Sequence, residues 1–411
     1  MNKNRSNNPI INYLKNTDYI LWLIIGLIAL YSLLLLKSVS RATNTNYFNT
    51  QLFAVTIGII GALVVTFIGY DTLTNYWGLI AAGSLFLMVY TILFGINISS
   101  SGGINATAWI NLGGRTFQPS ELVKICFIIT YAKHLSILNE KGTINKFKNI
   151  CILAGHAACP VLLCHMQGDD GAGVVFFAIF ITMSLASGIK LRYFALLAAI
   201  IVIAVPFAWK FILSDYQRLR FTAVYNLDDP DVAINEGYQQ YQGRISIGSG
   251  GFLGKGLFHG SRVESNEVTF QHSDFIFTVA GEELGFVGCL LVMLLLFALM
   301  YRALKIGLSA KDAMGKYMCF GFFGLIALQS ISNIGMCLAV LPVMGVTLPF
   351  FSAGGSSAAC LYLGIGLLES VYINRNKKST LETYKNVSYK KLDLKKIRIS
   401  ELSDSVENSI M

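Results

Sequence analysis

An aspartate stands where a polar stretch of the chain gives way to an apolar one. The segment His272-Ser273-Asp274-Phe275 ends the polar stretch, and the run that follows is apolar. A carboxylate at this boundary reaches water, while Phe275 and Phe277 lower the local dielectric constant. Partial desolvation makes a carboxylate a better proton acceptor. Asp274 is therefore a candidate general base that His272 could orient, and a helix cap or a solvated carboxylate is the alternative.

Four other ionisable residues fall inside apolar runs: Glu121, Lys124, Glu282 and Glu283. Charged groups within membrane spans are unfavourable, so they usually face a partner or a wet cavity. Lys124 lies one helical turn after Glu121. One interpretation is a structural ion pair between Lys124 and one of the three glutamates. The other is that these groups line a polar cavity open to the outside.

Two arginines in the long polar stretch before Asp274 are candidates for binding an anion, Arg220 and Arg244. The stretch from about 214 to 273 carries five basic and seven acidic side chains, so its bulk charge does not attract anions. Binding would require a local arrangement of arginines. Arg244 lies within the segment 237–256, which has seven glycines. Such a segment permits close backbone approach to phosphate oxygens, although an ordinary surface loop is the alternative.

The elements that must position these residues are membrane helices. The chain has 411 residues, of which 54% are hydrophobic and 13% charged, and its mean hydropathy of +0.58 excludes an ordinary soluble domain. Apolar runs of roughly 17 to 25 residues, enough to cross a hydrocarbon core of about 30 Å, begin near Tyr19, Leu52, Trp77, Glu121, Ile150, Gly171, Tyr193, Phe275, Tyr317 and Gly354. The pattern predicts an all-α polytopic membrane protein with about ten transmembrane helices and a long outer loop between helices 7 and 8.

The distribution of Lys and Arg predicts the orientation. With a cytoplasmic N-terminus, 22 of the 32 basic residues fall on the inner side, as the positive-inside rule requires. The predicted organisation is a cytoplasmic N-terminus over 1–18, a ten-helix membrane domain over 19–373 with an outer loop at about 214–273, and a basic cytoplasmic tail over 374–411. The net charge of +9 reflects this topology and gives no support to nucleic-acid binding. The cysteines and histidines lack metal-ligand spacing, so the residues predict no metal site.

Several segments, in order along the chain, resemble motifs of the SEDS family of bacterial cell-wall proteins, which includes RodA, FtsW and SpoVE. The similar segments are AWINLGGRTFQPSELVK (108–124), the glycine-rich segment 237–256, QHSDFIF (271–277) with GEELG (281–285), and NIGM (333–336) through LPFFSAGGSS (348–357). Within the family, parts of the glycine-rich segment and of the segment from NIGM to LPFFSAGGSS are more similar to RodA than to FtsW. The chain departs from the family pattern at Gly168, Asp170, Thr269, Phe270 and Ala353.

The resemblance implies a peptidoglycan glycosyltransferase that polymerises lipid II into glycan strands on the outer face of the bacterial cytoplasmic membrane, during cell elongation, division or sporulation. It implies a class B penicillin-binding protein as partner, while the cytoplasmic location of both termini follows from the distribution of Lys and Arg. Asp274 matches the family's essential aspartate. A divalent cation, Mg²⁺ or Mn²⁺, could assist Arg220 or the preferred Arg244 at the pyrophosphate. The residues expected to bind substrate are Gln118, Glu121, Lys124, Asp169, Arg220, Arg244, His272 and Ser356.

Two other functions are compatible with the sequence. A lipid II flippase could use the four intramembrane charged residues as a polar path, and a non-catalytic scaffold could recruit a synthase. Only the enzyme requires the carboxylate of Asp274, because a transporter or a scaffold should tolerate its amide isostere.

Overall fold

A computed structural model describes residues 13, 15–99, 105–211 and 213–376. Most of the predicted N-terminal segment 1–18 and nearly all of the predicted tail 374–411 lie outside the described residues. The helices are α1 (Tyr19–Thr43), α2 (Tyr47–Ile68), α3 (Tyr70–Asn75), α4 (Trp77–Phe94), α5 (Pro119–Glu140), α6 (Phe147–Met166), α7 (Asp170–Ala186), α8 (Leu191–Phe211), α9 (Asp215–Ala223), α10 (Pro230–Ile234), α11 (Tyr238–Ser249), α12 (Ser261–Glu264), α13 (Ile276–Leu308), α14 (Ala313–Cys337) and α15 (Gly355–Asn374). The strands are β1 (Ile96–Ser99), β2 (Asn105–Leu112) and β3 (Arg115–Phe117).

Eight of these helices are long and apolar enough to cross a membrane: α1, α2, α4, α6, α8, α13, α14 and α15. Two further helices begin close to the positions predicted for spans. Helix α7 is apolar but has only 17 residues, and α5 carries Glu121, Lys124, Lys133 and Glu140. The predicted helical membrane class is confirmed, whereas the number of ten crossings stays a prediction.

Two stretches between the predicted membrane helices, 96–120 and the predicted outer loop 214–273, contain regular secondary structure. The stretch 96–120 includes an antiparallel sheet of order β1-β2-β3. Strands β2 and β3 are joined by Gly113 and Gly114, whose φ values of 61° and 88° suit a two-residue hairpin turn. The stretch 214–273 includes the four short helices α9 to α12. These elements bring loop residues back over the end of the helix bundle.

The centre of the bundle is formed by close helix contacts at glycines. Helix α15 packs along α2, and α14 packs against α7 and α13. A Cβ atom on Gly58 would lie 2.6 Å from the Tyr362 ring, and one on Gly366 would lie 2.4 Å from the Ala62 carbonyl oxygen. Small residues at these contacts let the backbones approach, which is how membrane helices gain packing energy.

Helix α13 is interrupted at Gly285, where φ is 64° and ψ is −157°. The glycine-rich segment replaces the hydrogen bonds that the helix loses at this point. The backbone N–H groups of Lys255 and Gly256 donate to the carbonyl oxygens of Glu282 and Glu283, at 3.0 and 2.9 Å. Unpaired backbone groups are strongly unfavourable at membrane depth, so a broken span needs such a partner.

On the other side of the break, the glycine-rich segment accepts hydrogen bonds from α13. The N–H groups of Phe286 and Val287 donate to the carbonyl oxygens of Gly251 and Phe252, at 2.9 and 3.2 Å. The segment is therefore a structural partner of α13. The N–H groups of Lys255 and Gly256, which the sequence made candidates for phosphate, are used within the fold.

Candidate functional site

A cavity of about 400 Å³ lies at the end of the bundle where α5, α7, α13 and α15 begin and where α8 and α14 end. We call this end the cavity end. The aromatic and aliphatic part of the wall includes Trp109, Phe221, Phe270, Val343 and Met344. The polar side chains on the wall are Gln118, Asp169, Asp170, Gln217, Arg220, His272, Ser273, Asp274 and Thr347. Five predicted site residues, widely separated in sequence, therefore meet in one cavity.

Asp274 is on the cavity wall, and only 6% of its surface is exposed. It stands just before Phe275, the N-cap of α13. The Nδ2 group of Asn333 on α14 donates to the Asp274 carbonyl oxygen at 2.7 Å and to the Val346 carbonyl oxygen at 2.8 Å. Asn333 thus joins the backbone of the candidate base to the loop after α14, which forms another part of the wall.

The two residues before Asp274 are fixed in the same manner. The Ala353 N–H donates to the His272 carbonyl oxygen at 2.8 Å. The Ser352 hydroxyl donates to the Ser273 carbonyl oxygen at 2.7 Å and accepts a bond from the Leu348 N–H at 2.8 Å. Three consecutive carbonyls therefore have donors from the segment 333–353. Such a backbone holds a reactive side chain in one orientation without depending on the side chain's own contacts.

The His272 ring stacks on the Tyr47 ring, with centroids 3.9 Å apart and planes 7° from parallel. Burial lowers the pKa of the His272 imidazole to about 4. The ring is therefore neutral at pH 7 and supplies no positive charge for an anion. It forms an uncharged part of the wall next to Asp274.

Asp169 caps helix α7 and also joins it to the segment before α5. Its carboxylate accepts hydrogen bonds from the Gln118 Nε2 group at 2.6 Å, the Ser120 hydroxyl at 3.3 Å and the Ala172 N–H at 3.1 Å. The Ser356 hydroxyl, off the cavity wall, accepts a bond from the Gln118 N–H at 3.3 Å. Gln118 and Asp169 are thus hydrogen-bonded to each other on the cavity wall, and Ser356 contacts the backbone of Gln118 from outside the wall.

Lys124 forms an ion pair with Glu121, with the Lys124 Nζ atom 2.9 Å from the Glu121 Oε2 atom. Lys124 is 1% exposed and Glu121 is 6% exposed, and neither side chain is on the wall of the cavity. Of the two interpretations of these charged residues, the geometry favours the structural pair. Their predicted role in substrate binding has no direct contact with the cavity to support it.

Glu282 and Glu283, in the second turn of α13, have partners other than Lys124. The Glu282 carboxylate lies 2.7 Å from the Lys255 Nζ atom and accepts the Val263 N–H at 3.1 Å. The Glu283 carboxylate accepts the Ser38 hydroxyl. Both glutamates therefore fasten other segments to the first turns of α13, and neither is on the cavity wall.

Arg220 and Arg244 differ in their relation to the cavity. Arg220 is on the wall, and its Nη2 group donates to the Val343 carbonyl oxygen at 2.5 Å. Arg244 is half exposed, off the wall, and 3.6 Å from the Asp228 Oδ1 atom. Helix α11 buries the face that carries Gly243, and the next residue points away from it. The geometry therefore favours Arg220 over Arg244 for the pyrophosphate, and the identity of the arginine that binds it stays a prediction.

Four polar residues of the wall were not among the predicted site residues: Asp170, Gln217, Ser273 and Thr347. Gln217 forms a capping box with Ser214 at the start of α9, and the Ser-x-x-Gln spacing was a usable signal for that helix start. Asn333 lies within a segment that resembles the family, and Thr347 directly precedes another such segment. Neither residue was assigned a role from the sequence. Among the described residues, no group of three or more His, Cys, Asp or Glu side chains is arranged to hold a metal ion.

The chain is similar to known proteins over most of its length. Stage V sporulation protein E of Bacillus subtilis is 31% identical over 355 residues, which cover 86% of this chain and 94% of that protein. Peptidoglycan glycosyltransferase MrdB of Escherichia coli K12 is 32% identical over 292 residues, which cover 71% of this chain and 78% of that protein. These identities are too similar to assign a branch, so the resemblance to RodA in particular stays a prediction.

The fold is also that of a solved membrane component. A chain in a peptidoglycan synthase complex, studied for its coordination of polymerization and crosslinking, matches with a TM-score of 0.74 at 25% identity. The match covers 88% of this chain and 99% of that chain. The family model described as cell cycle protein, FtsW/RodA/SpoVE, matches residues 14–377. This chain belongs to the FtsW/RodA/SpoVE family, the SEDS family that its motifs resemble.

Proposed function

We propose that this protein is a peptidoglycan glycosyltransferase that polymerises lipid II on the outer face of the bacterial cytoplasmic membrane. The observation that carries the proposal is the position of Asp274, a nearly buried carboxylate on the cavity wall. Its own carbonyl oxygen and those of the two residues before it each accept a hydrogen bond. The shared family and the glycosyltransferase name of MrdB support the same activity.

The proposed reaction needs a base and a positive charge. Asp274 takes the proton from the 4-hydroxyl of one sugar. The oxygen of that hydroxyl attacks the anomeric carbon of the other sugar. A new glycosidic bond forms, the bond between the anomeric carbon and the diphosphate oxygen breaks, and the lipid diphosphate leaves with the electron pair. The guanidinium of Arg220, on the same wall, stabilises the charge that develops on the leaving group.

The carboxylates of Asp170 and Asp274 both reach the cavity wall, and oxygen donors of this type suit Mg²⁺ or Mn²⁺. These two residues are our candidates to hold a divalent cation, which when bound would neutralise diphosphate charge; the Asp170 Oδ1 atom also lies 2.7 Å from the His165 Nδ1 atom. The cation remains part of the proposal.

The location and the partner are also part of the proposal. If both termini are cytoplasmic and α5 and α7 also cross the membrane, the starts of α5, α7, α13 and α15 lie at the outer surface, and the proposed site lies there with them. A lipid-linked sugar meets the protein at that surface. The likeness to a chain of a peptidoglycan synthase complex supports a class B penicillin-binding protein as partner.

The test is polymerisation of lipid II in proteoliposomes by the purified protein with its partner. We expect Asp274→Asn to lower the rate by at least about 10²-fold, because it keeps the shape of the side chain but removes the proton acceptor. Asp228→Asn is the matched control, since this carboxylate is 98% exposed and off the cavity wall. Near-normal glycan synthesis by Asp274→Asn would rule out Asp274 as the base, whereas no synthesis by the parental protein would favour a flippase or a scaffold.

A further inference from the structure

Helix α1 carries an exposed stripe that changes from apolar to basic as it nears the cavity end. The exposed side chains on this stripe recur at intervals of four and three residues, which places them on one helical face. They are, in order, Leu23, Leu27, Leu30, Leu34, Lys37 and Arg41. A membrane-facing stripe of this kind matches a molecule with a long hydrocarbon chain and an anionic head.

Lys37 and Arg41 lie at the cavity end of the molecule. Ser38, between them in sequence, donates to Glu283 in the second turn of α13. Tyr47, just after the turn that follows α1, stacks on His272 of the cavity wall. These two contacts bring the end of α1 that carries the two cations close to the proposed active site.

Within the described part of the chain, neither cation has an ion-pair partner. The Lys37 Nζ atom is 4.8 Å from the centroid of the Phe48 ring, and the Arg41 guanidinium carbon is 5.9 Å from that of Phe258. Aromatic rings hold a cation in place and leave its charge available to an anion. A basic residue in the last turn of a helix stabilises the helix C-terminus through the helix dipole. This effect explains the presence of Arg41 but not that of Lys37, which precedes the last turn of α1.

The proposed reaction requires a second diphosphate site, so the inference rests on that function. The leaving diphosphate is bonded to the carbon under attack and must lie at the reaction centre, beside Arg220. The attacking 4-hydroxyl belongs to the sugar of lipid II that is farther from its own diphosphate. The diphosphate of this acceptor therefore lies about one disaccharide away from Asp274, where its lipid chain enters the membrane.

We propose that Lys37 and Arg41 bind the diphosphate of the acceptor lipid, with its isoprenoid chain along the leucine stripe of α1. The positive charge at the end of the stripe complements the head group, and the exposed leucines match the chain. Glu282 and Glu283, the nearby buried carboxylates, are occupied by Lys255 and Ser38 and do not neutralise the pair.

The first experiment measures lipid II polymerisation kinetics for the double variant Lys37→Gln with Arg41→Gln, in the complete membrane protein with its partner. We expect KM for lipid II to rise roughly 30-fold, about fivefold for each surface cation that faces an anionic lipid head group, with kcat within about twofold. The charge-keeping variant Lys37→Arg with Arg41→Lys should stay near the parental KM. Lys210→Gln is the matched control, an exposed cation at the end of α8 that also lies over an aromatic ring.

A second experiment measures binding of undecaprenyl diphosphate to the protein in phosphatidylcholine nanodiscs, with no catalysis involved. The double Gln variant should bind at least tenfold more weakly than the parent, whose thermal stability it should share. If the parental protein does not polymerise lipid II but binds undecaprenyl diphosphate through Lys37 and Arg41, the proposed function is refuted and the proposed diphosphate site is retained.

Three outcomes would overturn the site. These are an unchanged KM together with unchanged binding in the double variant, a fall in kcat alone, and equal competition by phosphatidylglycerol at the same mole fraction. The last result would identify an ordinary phospholipid head group as the ligand.

Discussion

Asn333 donates a hydrogen bond to the Asp274 carbonyl oxygen, and we assign it as a positioning residue on that contact. It is fully buried, and its amide group bridges the Asp274 and Val346 carbonyl oxygens. Asn333→Ala frees both carbonyls, and small errors in the orientation of a reactive group are costly. We expect kcat for lipid II polymerisation to fall by about 10- to 100-fold with KM within about threefold.

The control for Asn333 is Cys337→Ala. The Cys337 thiol makes a weak contact of 3.6 Å with the same Asp274 carbonyl oxygen and is similarly buried. This variant should keep most of the parental kcat. If Asn333→Ala changes thermal stability but leaves kcat at the parental value, Asn333 has a structural role only.

Arg220 and Arg244 provide a matched pair of substitutions, since only Arg220 is on the cavity wall. Arg220→Ala should lower kcat/KM for lipid II by about 10²-fold or more, because it removes a charge placed to act on the leaving diphosphate. Arg244→Ala should remain within about threefold of the parent, because a half-exposed pair with Asp228 contributes little. Steady-state kinetics in the presence of a chelator, with and without added Mg²⁺, measure both. A larger loss from Arg244→Ala would restore the original expectation.

At the scale of elements, the break in α13 depends on glycines in two segments. Gly254 has φ of +80°, and a Cβ atom there would lie 2.2 Å from the Glu283 carbonyl oxygen. Gly254→Ala should therefore lower the free energy of unfolding by more than about 2 kcal/mol, through both strain and the clash with backbone. Thermal unfolding in detergent measures the loss.

Gly248→Ala is the control in the same glycine-rich segment. Gly248 is within α11, and a Cβ atom there would meet nothing within 4 Å. Alanine favours a helix by up to about 1 kcal/mol relative to glycine, so this variant should be as stable as the parent or more so. Equal losses from both variants would contradict the proposed partnership between the segment and α13.

At the scale of the whole molecule, the contact between Tyr47 and His272 joins the α1–α2 end to the cavity, and the burial of the His272 imidazole makes stability depend on pH. The His272 imidazole has a pKa of about 4 in the folded protein and about 6.5 in an unfolded chain. Above pH 6.5 the ring is neutral in both states. As the pH falls from about 6.5 to about 4, the unfolded state binds the proton first, so folding loses stability through this window.

We therefore expect His272→Gln to lose less thermal stability than the parent between pH 6.5 and pH 4. The measurement is the melting temperature of each protein in nanodiscs across this pH range. Taking the difference between the two proteins removes the contribution of the titratable groups that they share. Parallel curves for the parent and the variant would show that His272 is not buried as the structure has it.

The sequence by itself determined the class of the protein, its family and its candidate base. Hydropathy is a local property that adds up along the chain, so the apolar runs predicted the membrane helices, and the helical class is confirmed. The family and the glycosyltransferase activity follow from motifs that are also local. Asp274 was selectable because its position at a polar–apolar boundary can be recognised without knowing its distant neighbours.

Only the tertiary structure decided which residues share the cavity and which partners the charged groups take. Lys124 could have paired with any of three glutamates, and it pairs with Glu121 because Glu282 and Glu283 face other segments. Arg220 reaches the wall and Arg244 does not. These outcomes depend on the rotation of each helix and on contacts between residues far apart in the chain. Local composition carries no information about either, because many packings bury the same apolar surface.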